Sequence, residues 1–229
     1  MVQYSLQIYF HWGIGMTIKH TGRYSVSADE DYEPGSNNQV LKNKLGIKYS
    51  DQMEAQKESE LERAELELFE LFDENHQFTA IDICNIHQLW LGDIYYFAGN
   101  YRTSNMTKDG HMFAAANRIE YYMEKVFQSD FLAKYTPCHY SDLNELALAL
   151  GIVHVELILI HPFREGNGRV ARLLTDLMAS QARRPPLNYL PIDKTENQQG
   201  FESYIRAIHA GLNKNYEPIK DIFKILLRV

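Results

Sequence analysis

Apolar residues occupy nearly every position between Leu146 and Ile160. A helix that is hydrophobic on all sides belongs in the interior of a protein, and this run is too short and too interrupted to span a bilayer. Pro162 disfavours helical geometry for the residue before it. The pattern therefore predicts a buried central helix, with His161 at the point where the helix gives way to a loop.

The segment after this loop has an amphipathic pattern. One apolar stripe recurs at helical spacing, at Val170, Leu173, Leu174, Leu177 and Met178. Arg169 and Arg172 lie off the stripe and about 60° apart around the helix, so both guanidinium groups can point toward the same volume. A second core helix is thus predicted, with two arginines near its start.

Apolar spacing predicts the remaining helices as well. They cover residues 50–72, 79–90, 114–127, 201–208 and 219–226. Ser50 or Asp51 is the expected N-cap of the first of these. Thr79 is expected to cap the second, and Ser141 to start the central helix. The predicted fold class is all-α.

One short β-hairpin interrupts the helical pattern. Asp109-Gly110 lies between short extended runs, which is typical of a hairpin, and we place the turn at residues 107–110. A hairpin projecting from a helical protein leaves an open edge that a target segment can join as an added strand. The alternative is an ordinary surface hairpin whose Phe113 packs inward.

Length, charge and cysteine content set the broad class. The 229 residues suit one large domain, which we place at residues 30–229. Residues 1–29 are an N-terminal extension, interpreted as an extra strand, a flexible tail or the product of an upstream start before Met16. A formal net charge of −7 argues against general nucleic-acid binding.

Cys84 and Cys138 give neither a disulfide framework nor a metal cluster. The apolar residues 1–16 lack the basic start and the cleavage pattern of a signal peptide. We therefore expect a cytoplasmic protein that does not engage a membrane.

Residues 161–172 carry the candidate chemistry, and they read His-Pro-Phe-Arg-Glu-Gly-Asn-Gly-Arg-Val-Ala-Arg. Gly166 and Gly168 let a ligand approach the main chain closely, and the N–H groups at a helix start attract anions. Glu165 suits Mg²⁺, which takes one or two carboxylates plus substrate phosphates. Arginine forks match the remaining phosphate oxygens. The run predicts a polyphosphate site beside an imidazole.

Each of these residues also has a simpler interpretation. A single histidine near apolar residues is usually structural, Gly-Asn-Gly alone is an ordinary turn, and Arg169 and Arg172 alone suit a solvated helix face. Their joint occurrence, in this order and between two buried helices, favours the ligand site.

The run resembles the signature of the Fic family, His-Pro-Phe-x-(Asp/Glu)-Gly-Asn-Gly-Arg-x-x-Arg, at every fixed position. Residues 86–87, 93–95 and 98–102 resemble the family's segment that leads into its substrate flap. Residues 32–35 and 41–46 resemble the family's N-terminal part. The resemblance implies the Fic helical core, with the hairpin as a flap over the active site.

This resemblance implies transfer of AMP from ATP to a Tyr, Ser or Thr hydroxyl of a target protein, with release of pyrophosphate. His161 would be the general base, Glu165 would bind the Mg²⁺ that bridges the α- and β-phosphates, and Asn167 would meet the α-phosphate. Arg169 and Arg172 would hold the β- and γ-phosphates.

The other implied site residues form two groups. The nucleotide-binding group also contains Phe163, Arg164, Gly166 and Gly168. The flap group, expected to dock the target segment, is Arg102, Thr103, Lys108, Asp109, Gly110 and Phe113. Phe113 would clamp that segment.

Many Fic proteins carry an inhibitory helix with the pattern (Ser/Thr)-x-x-x-Glu-(Gly/Asn), whose glutamate pairs with the second motif arginine. The nearest matches here are Ser50 to Glu54 and Ser141 to Glu145. Both lack the final Gly or Asn, and both serines are expected helix caps. We therefore predict no built-in brake and a likeness to Fic toxins silenced by a separate small antitoxin. An unregulated enzyme, or one inhibited by oligomerisation, would also lack this inhibitory pattern in its sequence.

Two other functions stay open. The same fold could transfer another nucleotide or a phosphate-containing group, because no identified residue selects the base. A metal-dependent hydrolase would use His154 and Glu156 together with His161 and Glu165. The chain has no His-Glu-x-x-His spacing and Pro162 disrupts the helix there, so we interpret His154 as a core residue.

Overall fold

The computed structural model describes residues 31–108 and 111–228. Their helices are α1 (Ser50–Leu71), α2 (Ala80–Leu91), α3 (Ile119–Tyr121), α4 (Ala133–Tyr135), α5 (Leu143–Ile160), α6 (Asn167–Gln181), α7 (Gln198–Gly211) and α8 (Glu217–Leu226). An antiparallel hairpin, β1 (Thr107–Lys108) and β2 (His111–Met112), is the only sheet in the part described. The predicted all-α class with one small hairpin is confirmed. The extension at 1–29 and the turn residues 109–110 lie outside the described residues.

Helix α5 is the central helix that the sequence predicts. It packs against α6, α7 and α8, and most of its side chains are buried. By length and composition it is the one helix of the described part that could cross a membrane, and 67 % of it is buried inside the protein. Burial on all sides explains why its sequence is apolar all round. The predicted apolar stripe of α6 is buried against it.

The helix starts follow the predicted positions, but two of the three caps are different. Thr79 caps α2 in a reciprocal capping box with Asp82, as expected. Ser50 is already inside α1, which follows Tyr49 without a side-chain cap. Asp142, rather than Ser141, caps α5, because its carboxylate accepts from the N–H groups of Asn144 and Glu145 in the first turn.

The helix predicted over residues 114–127 is longer and less regular than expected. A 3-10 turn, Ala116–Arg118, leads into α3, and a π-helical stretch, Tyr122–Leu132, continues into α4. Its buried residues are Ile119, Met123, Phe127 and Leu132. These intervals of four and five residues exceed the α-helical repeat, so the wider π turns keep all four side chains on one face.

The hairpin has a tighter turn than the sequence suggested. Thr107 pairs with Met112 and Lys108 pairs with His111, so only two residues remain for the turn. Both β1 residues therefore lie inside the predicted four-residue turn. A two-residue Asp-Gly connection is the one that matches the twist of a hairpin.

Candidate active site

His161 lies at the junction between α5 and the motif loop. Its backbone is left-handed, with φ 55°, which is uncommon for a residue other than glycine. Its N–H still bonds Leu157 at the end of the helix, so the ring is fixed to a rigid element. The side chain is where the sequence placed it, at the base of the loop.

The hydrogen bond of the imidazole selects its tautomer. Nδ1 lies 3.2 Å from the Ile158 carbonyl oxygen, which can only accept, so Nδ1 carries the proton and Nε2 the lone pair. Burial lowers the pKa of His161 to about 3. The hydrogen bond to Ile158 raises this pKa and the charge of Arg102 lowers it, both by smaller amounts. The ring is therefore neutral at cellular pH and can accept a proton at Nε2.

Phe113, which follows β2, covers this imidazole. The two rings stack with centroids 3.7 Å apart and an angle of 10° between their planes. The interpretation in which Phe113 packs inward therefore describes this structure. A hydroxyl that approaches Nε2 must pass the flap, and the clamping of a target by Phe113 stays a prediction.

Arg102 does not face a target, contrary to the prediction. Its side chain is buried and donates to the backbone oxygens of His161 (2.8 Å), Ser104 (2.7 Å) and Ala114 (2.6 Å), with a longer bond to Ile160 (3.5 Å). Burial lowers the pKa of Arg102 to about 10. Its own N–H bonds Pro162. Arg102 therefore ties the flap to the residue that holds the imidazole, a role that leaves no donor surface for docking.

The glycine turn opens α6 as the sequence implied. Gly166 is the N-cap with φ 84°, and an added Cβ would lie 2.6 Å from a ring carbon of Trp90. At Gly168 a Cβ would meet nothing within 4 Å. The first-turn N–H groups of α6 have no acceptor inside the helix. They open beside Gly168, and the binding of an anion there stays a prediction.

Two motif residues hold the loop together rather than facing a ligand. The Asn167 side chain accepts from the Phe163 N–H and donates to the Phe163 carbonyl, both at 2.8 Å. The Phe163 ring is fully buried and stacks on His87 at 3.9 Å. The Phe163 ring therefore faces the inside of the loop, and the contacts of Phe163 and Asn167 with nucleotide stay predictions.

His87 connects the same loop to the segment before the flap. Its Nδ1 accepts from the Gly99 N–H at 2.8 Å, and its Nε2 donates to the Glu165 carbonyl at 3.1 Å. Burial lowers the pKa of His87 to about 4, so the ring keeps the neutral tautomer that makes both bonds. The sequence pattern did not indicate a role for His87.

Glu165 lies in a cluster of four alternating charges. Oε1 of Glu165 is 3.4 Å from Arg169 and 3.8 Å from Lys57, while Glu54 is 3.4 Å from Arg169 and 2.5 Å from Lys57. The Arg169 guanidinium also lies over the Trp90 ring at 4.7 Å. Helix α1 thus supplies one charge of each sign to the motif. Ser50 was expected to be a helix cap, and this expectation counted against an inhibitory role for Glu54. The expectation is wrong, because Ser50 lies inside α1.

Arg172 lies in a different environment. Its guanidinium lies over the Tyr189 ring at 4.9 Å. The Tyr189 hydroxyl lies 3.0 Å from that of Thr175 and donates to Asp176 at 3.2 Å. Burial raises the pKa of Asp176 to about 7. Among the described residues Arg172 makes no ion pair, so its charge is available to a ligand.

The remaining predicted residues are distributed around this centre. Arg164 is buried, and its Nε donates to Asp31 at 3.2 Å. Thr103 is exposed and Lys108 is half-buried in β1. No group of three His, Cys, Asp or Glu side chains that could hold a metal exists in the described part. The binding of Mg²⁺ by Glu165 stays a prediction.

The residues of the hydrolase alternative are engaged in the core. His154 is fully buried, its Nε2 lies 2.7 Å from the Tyr204 hydroxyl, and burial lowers its pKa to about 3. Glu156 accepts from Lys214 at 2.9 Å and from Tyr216 at 2.5 Å. The interpretation of His154 as a core residue is confirmed, and this ligand set is not assembled.

Sequence reasoning missed Lys57, Trp90 and Tyr189. Lys57 had a visible signal, because it continues the buried stripe of α1 that contains Met53 and Ala64. A lysine in an apolar stripe is rarely buried unless it is paired. Trp90 and Tyr189 carried no local signal, since their stacking on arginines depends on tertiary contacts.

The Fic/DOC family profile matches residues 77–179, which run from α2 through the hairpin and α5 into α6. Residues 77–179 form a Fic/DOC family domain, and the chain is homologous to Fic protein adenylyltransferases.

Individual relatives agree with this assignment. Protein adenylyltransferase VbhT of Bartonella schoenbuchensis is 31 % identical over 193 residues, covering 80 % of this chain and 37 % of VbhT. Protein adenylyltransferase Fic of Nematostella vectensis is 29 % identical, covering 62 % of this chain and 31 % of that protein. The chain thus spans about a third of the length of these two relatives.

A solved structure shows the same fold. The BepC protein of Bartonella tribocorum, solved with bound AMPPNP, superposes with a TM-score of 0.64 at 21 % identity. The alignment covers 81 % of this chain and 91 % of that one. The helical arrangement around α5 and α6 is therefore that of the Fic domain.

Proposed function

We propose that this chain transfers AMP from ATP to a hydroxyl of a target protein and releases pyrophosphate. The observation that carries the proposal is the geometry of one loop. The neutral imidazole of His161, with its lone pair on Nε2, lies at the end of α5. A glycine turn opens α6, and Arg169 and Arg172 follow it within that helix. VbhT and the Nematostella protein are protein adenylyltransferases, and BepC binds an ATP analogue, which supports the assignment.

The reaction needs one proton acceptor and one anion site. His161 Nε2 takes the proton of the target hydroxyl, whose oxygen forms a bond to the α-phosphorus. The bond from the α-phosphorus to the oxygen that bridges to the β-phosphate breaks, and pyrophosphate leaves with that electron pair. The N–H groups at the α6 start, together with Arg169 and Arg172, stabilise the charge that develops on these oxygens.

Mg²⁺ is part of this proposal. Glu165 would hold the ion, which would shield the phosphate charges while the nucleotide is bound. Asn167 and Phe163 keep the loop in shape, and Arg102 keeps the imidazole against it. Most of the catalytic power is thus positioning and charge stabilisation by fixed groups.

The proposal extends to control by a separate small protein in the cytoplasm. Arg169 is already paired with Glu54 and Glu165, whereas Arg172 makes no ion pair within the described part of the chain. A glutamate from a partner would meet Arg172 and exclude the γ-phosphate. If the chain is such a toxin, its expression in bacteria arrests growth and the His161→Ala variant does not. Equal growth of both cultures would contradict the toxin role.

The transfer itself is tested with ATP labelled in the adenine ring or α-phosphate, Mg²⁺ and a cell lysate. We expect the wild type to label a protein band and His161→Ala to reduce the rate by about 10²- to 10⁴-fold, because general base catalysis contributes that much. An unchanged circular dichroism spectrum shows that the variant is folded. A band labelled equally by both proteins would contradict the assigned base.

A further inference from the structure

Lys57 is a buried cation beside the motif that the proposed mechanism does not use. Its side chain is 4 % exposed. The Nζ group lies 2.5 Å from Glu54 and 3.8 Å from Oε1 of Glu165. A buried lysine is costly unless its charge has a use or a partner. Glu54 is such a partner, but its side chain is 52 % exposed, so the pair opens toward solvent on one side.

The backbone around Lys57 is fixed to the active site. The Trp90 indole N–H donates to the Lys57 carbonyl at 2.9 Å. The same indole ring underlies Gly166 and carries the Arg169 guanidinium at 4.7 Å. The position of Lys57 relative to the start of α6 is therefore set by one rigid aromatic side chain.

A cavity lies next to this cation. Its volume is about 280 Å³, several times that of a water molecule. It is lined by Lys57, Glu165, Arg164, Tyr95 and Ser50, among others. Lys57 therefore borders a space large enough to admit a phosphate group.

We propose that Lys57 binds the phosphate chain of the nucleotide together with Arg169, as a further cation of the same site. Oε1 of Glu165 is flanked by two cations, Arg169 at 3.4 Å and Lys57 at 3.8 Å. A phosphate that reaches Arg169 at this carboxylate therefore comes within reach of the flexible Lys57 ammonium. Glu54 holds both cations until the phosphate arrives. This inference rests on the proposed function, because it names a residue of the same site.

The test compares nucleotides that differ only in their phosphates. Dissociation constants for adenosine, ADP and a non-hydrolysable ATP analogue are measured by calorimetry with Mg²⁺ present. Lys57→Met keeps the aliphatic stem and removes the charge. It is expected to weaken binding of ADP and of the analogue by about 10- to 100-fold, the worth of a charged hydrogen bond. Adenosine binding stays the same, and Lys57→Arg retains most of the affinity.

Matched variants separate a lost charge from a lost fold. Lys125→Met removes an exposed lysine and should bind like the wild type. Glu54→Gln should bind the analogue as well as the wild type or better. If Lys57→Met melts at a lower temperature, Glu54→Gln combined with Lys57→Met removes both members of the pair and carries the same expectation. Melting is followed by circular dichroism.

The inference is overturned if a folded variant without the Lys57 charge binds the ATP analogue within twofold of the wild type. Equal losses for adenosine and for the analogue would also overturn it, because they indicate a structural effect. A wild type that binds no nucleotide contradicts both proposals. Nucleotide binding that depends on Lys57, without AMP transfer to any protein, contradicts only the proposed function.

Discussion

The motif loop begins at His161 and the flap covers the His161 ring with Phe113, and the two regions are built differently. In the loop, the buried Asn167 side chain bonds both the N–H and the carbonyl of Phe163, and His87 of α2 joins the loop to the segment before the flap. The flap has two strands of two residues each. Its Met112 side chain is 51 % exposed. The loop is thus fixed by buried hydrogen bonds, whereas the flap presents an exposed side chain and is joined to His161 by Arg102.

This difference separates chemistry from recognition. A group that stabilises developing charge must be in place before the reaction, so a rigid loop suits the phosphates. A segment that accepts target chains as an added strand needs an open edge. In the proposed function, the loop would fix what is transferred and the flap would control which hydroxyl reaches His161.

The largest effect is expected from Arg172→Ala in the loop region. The guanidinium is lost while the ring of Tyr189 stays in place, so the γ-phosphate loses its cation. We expect kcat/KM for ATP to fall by about 10²- to 10³-fold, as for removal of one oxyanion donor. Initial rates at varied ATP measure this. Activity within threefold of the wild type would mean that Arg172 does not hold the nucleotide.

Arg102→Met should break the link between the two regions. It leaves three buried carbonyls without their charged donor, and each such hydrogen bond is worth about 1.5–3 kcal/mol. We expect the free energy of unfolding to fall by about 2–4 kcal/mol in urea titrations.

Arg206→Met, at an exposed position on α7, is the control and should change stability by less than about 0.5 kcal/mol. If both variants lose the same stability, Arg102 is not the clamp that its hydrogen bonds indicate.

Phe113→Ala should have the smallest effect on the loop and so sharpens the contrast. It uncovers the imidazole without touching the phosphate site, so the dissociation constant of an ATP analogue should stay within about twofold. The rate of target labelling should change, because the ring lies where a hydroxyl must approach. A large loss of nucleotide affinity would show that the two regions are not independent.

Sequence periodicity was sufficient for the helical core, because the apolar stripes of α5 and α6 are local patterns that burial confirms. Position along the chain also located His161 at the helix end. The sequence could not show that the Asn167 side chain bonds the Phe163 backbone or that the Phe163 ring is buried, because those contacts depend on how the turn closes. Nor could the sequence place Arg102, because its buried side chain bonds the carbonyl of His161, which is remote along the chain.

The most direct test of the account is the mass of the group added to a target peptide. After incubation with ATP and Mg²⁺, the labelled protein is digested and the modified peptide is sequenced by mass spectrometry. The account predicts an adenosine monophosphate on a Tyr, Ser or Thr hydroxyl with the wild type and none with His161→Ala. A peptide carrying only a phosphate, or another nucleotide in its place, would contradict AMP transfer as the chemistry of this loop.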